Sequence, residues 1–78
     1  ARVMFTPLEL FYRVIIVIES CETREQLRCA RRYAEFAKTA IIRMLEDMGE
    51  TDMYIDLFLI DVSHDFNAAI RRTIKAIR

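Results

Sequence analysis

The side chains most able to do chemistry in this sequence are its arginines, and they fall in two separate stretches. Arg24, Arg28, Arg31, Arg32 and Lys38 form one, and Arg71, Arg72, Lys75 and Arg78 the other. A guanidinium is a planar fork that donates two hydrogen bonds to one phosphate or carboxylate, so clustered arginines suit anionic partners. Arg24, Arg28, Arg31, Arg71, Arg72 and Lys75 are therefore expected to make a DNA- or RNA-binding surface. Tyr12 and Tyr33 are aromatic rings on which bases could stack. The competing readings are a solvated helix face paired with Glu22, Glu25 and Glu35, and an acidic protein surface as partner.

Other chemistry is poorly supplied. His64 is the only histidine, with Asp61 and Asp65 within a helical turn of it. A metal site would need further inward-facing carboxylates from partner helices. Glu35 is the one candidate, so the cluster reads as a surface histidine among aspartates. A nucleophile needs an oriented base beside it. Cys21, Ser20, Ser63 and His64 are the available parts, and nothing in the chain's pattern brings them together. With one glycine there is no Gly-rich phosphate loop. Cys21 and Cys29 fit no C-x-x-C redox or zinc spacing and read as reduced thiols. No catalytic residue, metal or cofactor is assigned, and the chain is expected not to be an enzyme.

These side chains must be positioned by helices. Thr6-Pro7-Leu8-Glu9 has a capping threonine, a proline at the first helical position and a glutamate at the third. It predicts a helix over residues 7–19. Thr23-Arg24-Glu25-Gln26 repeats the capping pattern. After it Leu27, Ala30, Ala34, Ala37, Ile41, Met44 and Met48 recur at steps of three and four, a heptad seam. Tyr33, Phe36, Ala40 and Leu45 widen that seam into a broad apolar face. Gly49 follows, where a helix ending in a left-handed residue wants glycine. This predicts a second helix over 24–48. Thr51 or Asp52 caps a third, over 52–77, with a seam at Ile55, Leu59, Val62, Phe66, Ala69, Thr73 and Ala76. Phe58, Ile70, Ile74 and Ile77 lie alongside that seam. The methionines, Met4 included, read as filling near the turn and the N-terminus.

An alternative remains at two places. Residues 11–18 are rich in strand formers, and 53–62 also reads as a buried strand, which would make a β-α-β-α chain. Asp56 and Asp61 count against it, because a central parallel strand is buried on both faces.

The chain has 78 residues, 12 Lys+Arg against 12 Asp+Glu, 54% hydrophobic residues, one Gly and one Pro. That composition excludes a disordered tail, a collagen-like chain and a disulfide scaffold. The apolar run 14–18 is far short of the ~20 residues of a membrane span. No secretory leader is expected, and the chain reads as cytoplasmic. One domain over 1–78 is expected. A core this small is marginal, and oligomerisation is a common remedy.

If helices two and three fold back near residue 50, Ala34 meets Phe66, Ala37 meets Val62, and Ala30 meets Ile70. The same fold-back gathers the two basic stretches at one end. Glu46, Asp47, Glu50, Asp52 and Asp56 gather at the other, with Asp61 and Asp65 further along. A neutral chain becomes a rod with a basic and an acidic pole.

Residues 18–33 read Ile-Glu-Ser-Cys-Glu-Thr-Arg-Glu-Gln-Leu-Arg-Cys-Ala-Arg-Arg-Tyr. This stretch resembles short helical proteins of bacteriophages, in which a helix ends in Ser-Cys and a Thr-x-Glu-Gln-Leu cap opens the next. The resemblance covers about a fifth of the chain. It implies a small viral accessory or virion-associated protein, and it carries over no functional residue.

The expected molecule is all-α, with a short N-terminal helix and a long antiparallel hairpin, completed as a bundle by dimerisation. Its expected function is a small binding module gripping nucleic acid by the basic pole. The alternative is a structural or protein-interaction module that self-associates through the first helix, with Tyr12, Ile15 and Ile16 as the interface.

Overall fold

Three threonines start three helices. The computed structural model describes residues 6–77, and the readings that fall on Met4 and Arg78 lie outside them. The helices are α1 (Pro7–Glu19), α2 (Arg24–Asp47) and α3 (Asp52–Ala76). Thr6, Thr23 and Thr51 have extended backbones. Each hydroxyl accepts a hydrogen bond from the amide three residues on, at 3.2, 3.1 and 3.2 Å. These bonds satisfy donors that the first helical turn otherwise leaves unpaired. Gln26 reaches back as a capping box requires, but to the amide of Glu22 at 2.8 Å, one residue before the cap.

The turn after α2 is built around Gly49, whose φ is +81°. The Glu50 amide bonds to the Leu45 carbonyl and the Gly49 amide to the Glu46 carbonyl. This is a Schellman closure, and its left-handed position penalises a Cβ.

The β-α-β-α alternative is contradicted. Residues 11–18 lie within α1 and 53–62 within α3, and no strand occurs among the described residues. Strand propensity mostly reports fit to a half-buried pleated surface. Here the caps at Thr6 and Thr51 start helices whose inner faces find apolar partners, and those decide the matter.

One cluster forms the core. It joins Leu10, Val14 and Ile18 of α1 with Leu27, Ala30, Ala34, Ala37, Ile41 and Leu45 of α2. From α3 come Ile55, Val62, Phe66 and Ala69. Small residues on α2 thus share the core with large ones on α1 and α3, as close packing demands. Every pair of helices is in contact, so α1 completes the bundle within the chain. Phe11 of α1 stacks on Phe66 of α3, with ring centroids 5.6 Å apart and planes 11° apart. The Thr73 hydroxyl is buried, 2.8 Å from the Ala69 carbonyl and 3.3 Å from the Ile18 carbonyl of α1. One proton serves both acceptors and ties the end of α1 to α3.

Several sequence readings of the core are corrected. Leu45 is buried in place of Met44, which is half-buried, while Met48 is exposed. A helix at ~3.6 residues per turn drifts off a strict seven-residue repeat, and the drift brings Leu45 inward. Phe36, expected to widen the inner face, is 77% exposed. Ile74 and Ala76 are also exposed, while Thr73 and Ile77 beside them turn to the core.

Chemical denaturation of two variants checks this assignment. Phe66→Ala should cost ~3–5 kcal/mol of stability, the usual penalty for emptying a large buried aromatic site. Phe36→Ala should change stability by less than ~0.5 kcal/mol, as surface substitutions generally do. Equal losses would mean that the inner face of α2 is misassigned.

Candidate functional site

The bundle presents two surfaces with chemical character. The first is the basic end. The N-terminal turns of α2 and the last turns of α3 lie side by side there, as an antiparallel hairpin requires. Arg24, Arg28 and Arg31 line a groove of about 200 Å³ with Leu27, Ile74 and Ile77. Successive steps of four and three hold the three guanidiniums on one side of α2. Among the described residues no carboxylate stands within ion-pair distance of any of the three. Three unpaired cations over an apolar floor favour an anion, and the negative end of the α3 dipole offsets only part of their charge.

Of the six basic residues singled out from the sequence, Arg24, Arg28 and Arg31 line this groove, and Arg71, Arg72 and Lys75 do not. Arg72 lies on the α1 side of α3. Its Nε and Nη2 atoms donate to the same Glu19 oxygen, at 3.4 and 3.2 Å. Both partners are largely exposed, and such pairs contribute only ~0.2–1 kcal/mol. Arg71 and Lys75 are exposed and line no part of the arginine groove. Glu19, at the C-terminal end of α1, thus stands against one of the bases at this end of the bundle. No signal in the sequence pairs residues 53 positions apart.

The second surface lies over α1 and α3, which run parallel and adjacent. Two shallow grooves follow their junction. One is lined by Leu8, Phe11, Phe58, Asp61, Val62 and Asp65. Phe11, Tyr12, Ile15, Asp65, Ala68 and Arg72 line the other. Phe11 and Asp65 belong to both, so the grooves are continuous. Leu8, Tyr12 and Ile16 stand four residues apart on α1, hence on one stripe. They are 52%, 56% and 66% exposed. Ile15 is half-buried and packs against the core. On α3, exposed Tyr54 and Leu57 lie towards the groove-lining side, whereas exposed Met53 and Ile60 lie about 120–140° around the helix from Asp65. By contrast α2 exposes one large apolar side chain, Phe36. The exposed apolar surface thus sits mainly on α1 and α3. Of Tyr12, Ile15 and Ile16, chosen from the sequence as an interface, the first two line the second groove, and exposed Ile16 lines neither. Leu8, Ala68 and the α3 contribution were missed, because each reads as an ordinary helix position until α1 docks beside α3.

His64, Asp61 and Asp65 are exposed, and no group of three or more His, Cys, Asp or Glu side chains is placed to share a metal ion among the described residues. Cys21 and Cys29 are free thiols on an open cleft lined also by Val17, Gln26 and Tyr33. The Cys21 thiol bonds to the Val17 carbonyl at 3.3 Å. Burial and, secondarily, the neighbouring Cys29 push its pKa above the ordinary thiol value. No helix among the described residues is long and apolar enough to cross a membrane.

No protein-family model, curated protein or solved structure significantly matches the chain.

The thiolate is the nucleophile in alkylation, so a raised pKa lowers reactivity at neutral pH. Iodoacetamide at pH 7 should label exposed Cys29 before Cys21, with Cys21 labelling still climbing steeply through the alkaline range. Mass spectrometry of the time course checks this, and preferential labelling of Cys21 at pH 7 would contradict it.

Proposed function

We propose that the chain is a non-enzymatic protein-interaction module that works by docking its α1–α3 face onto another protein surface. The observation that carries this is the concentration of exposed apolar side chains on two adjacent parallel helices, beside a continuous groove. Contiguous apolar patches on small proteins mark interaction sites, because leaving them in water forfeits burial energy. Tyr12, Ile15 and Ile16 form the apolar centre, and Asp61, Asp65 and Arg72 form a charged margin. That matches the anatomy of protein interfaces, with an apolar core and a polar rim. A small accessory or assembly protein, such as one from a virus particle, is the kind of molecule this describes.

A second reading rests on the arginine groove. Arg24, Arg28 and Arg31 converge without carboxylate partners, which favours a polyanion such as DNA or RNA at that end. Arg71 and Lys75 would extend the contact, and Arg72 would be available only in competition with Glu19.

Two measurements test these readings. A photo-reactive phenylalanine at Tyr12, in cells expressing the chain, should yield a protein adduct on irradiation, whereas the same residue at exposed Arg32 on α2 should not. Absence of an adduct at Tyr12 would count against the face. For the second reading, fluorescence anisotropy of a generic oligonucleotide should show binding that weakens steeply with salt, as counterion release demands. Arg28→Glu should reduce it further. Binding that ignores salt, or none at low salt, removes the nucleic-acid reading.

A further inference from the structure

The charged margin of the α1–α3 face has an order that selects a partner. Along α3, Ala68 lines the groove with Asp65 on its N-terminal side and Arg72 on its C-terminal side. Asp65 lies three residues before Ala68 and Arg72 four after it. Asp61 lies seven before, and Lys75 seven after. Acids thus precede Ala68 and bases follow it at nearly equal distances. Asp61 and Asp65 have no cation within ion-pair distance among the described residues, and neither Arg71 nor Lys75 has a carboxylate. Arg72 directs its Nε and Nη2 atoms at Glu19. A guanidinium has five N–H donors, so a second carboxylate can still be taken.

From this order we infer that the occupant of the α1–α3 face is a second copy of the chain, related by a two-fold axis passing near Ala68. The inference rests on the proposed role of that face and names its partner. Such an axis sets α3 antiparallel to its counterpart. Asp65 then meets the partner's Arg72, Asp61 meets the partner's Lys75, and each pairing occurs twice. Isologous contacts of this kind are the commonest in homo-oligomers. Ala68 at the crossing point is small, which lets the two helices approach closely. Tyr12 and Ile15 share the groove with Ala68, and exposed Ile16 adjoins them, so the apolar centre of the face lies at the axis. Complementary charge then fixes the register, since sliding or reversing α3 sets like charges together.

The test uses charge reversal. Wild-type protein should sediment as a dimer. Asp65→Arg and Arg72→Asp, each folded by circular dichroism, should each weaken self-association by roughly tenfold or more, as loss of close interfacial charge pairs does. An equimolar mixture of the two should recover a dimer containing one of each, because every cross-interface pair is again opposite in sign. If either variant fails to fold, Asp61→Lys and Lys75→Asp are mixed in the same way. A monomeric wild type, single variants that dimerise normally, or a mixture that stays monomeric would each overturn the inference. A monomeric wild type whose Tyr12 crosslinks to a different protein would sink the second copy and leave the interaction face standing. No adduct at all would sink both.

Discussion

The alanines along the inner face of α2 are the constraint on which the rest of this molecule depends. Ala30, Ala34 and Ala37 are all buried and offer little volume, so both other helices can settle close to α2. The space they leave is filled from across the core by Val14, Ile18 and Phe66, all fully buried. Phe66 then reaches far enough to stack with Phe11 of α1. That contact, with the shared Thr73 hydroxyl, holds α1 and α3 against one another as well as against α2. Larger residues at the alanine positions would push the outer helices apart and open the groove between them.

Once α1 and α3 are neighbours, their outer faces become one surface. Neither face is informative alone. A four-residue apolar stripe on a short helix is ordinary, and so is a half-apolar face on a long one. Together they expose Leu8, Tyr12, Ile16, Tyr54 and Leu57 beside a groove. A small chain cannot hide all its apolar residues, since its surface is large relative to its volume. What distinguishes this molecule is that the excess is gathered on two helices, while α2 shows solvent a largely polar face.

The same docking rearranges the charge. The chain is neutral, with 12 basic and 12 acidic side chains, and its hairpin does set basic ends of α2 and α3 together. But α1 returns to that end carrying Glu19, which takes Arg72. Arg24, Arg28 and Arg31 line a groove on the α2 side, while Arg72 on the α1 side is paired with Glu19. A hairpin alone would have made a stronger case for nucleic acid. The first helix, α1, removes one of those bases from the free charge at that end.

Helix ends were legible in the sequence because they are local. Thr6, Thr23, Thr51 and Gly49 act through hydrogen bonds to residues no more than five positions away, and all four do what their types predict. The exposed side chains of Tyr12 and Ile16 were legible as an apolar excess on α1. The partner of Arg72, the burial of Leu45 over Met44, and the exposure of Phe36 were not. Each depends on the rotation of one helix against another, which is set by packing summed over the whole core. A heptad count carries that rotation only approximately, and the error grows along a helix of 24 residues. Sequence alone determined where the three helices begin and end. Tertiary packing decided which of their faces remain open, because a face is defined only by the neighbour that covers the other side.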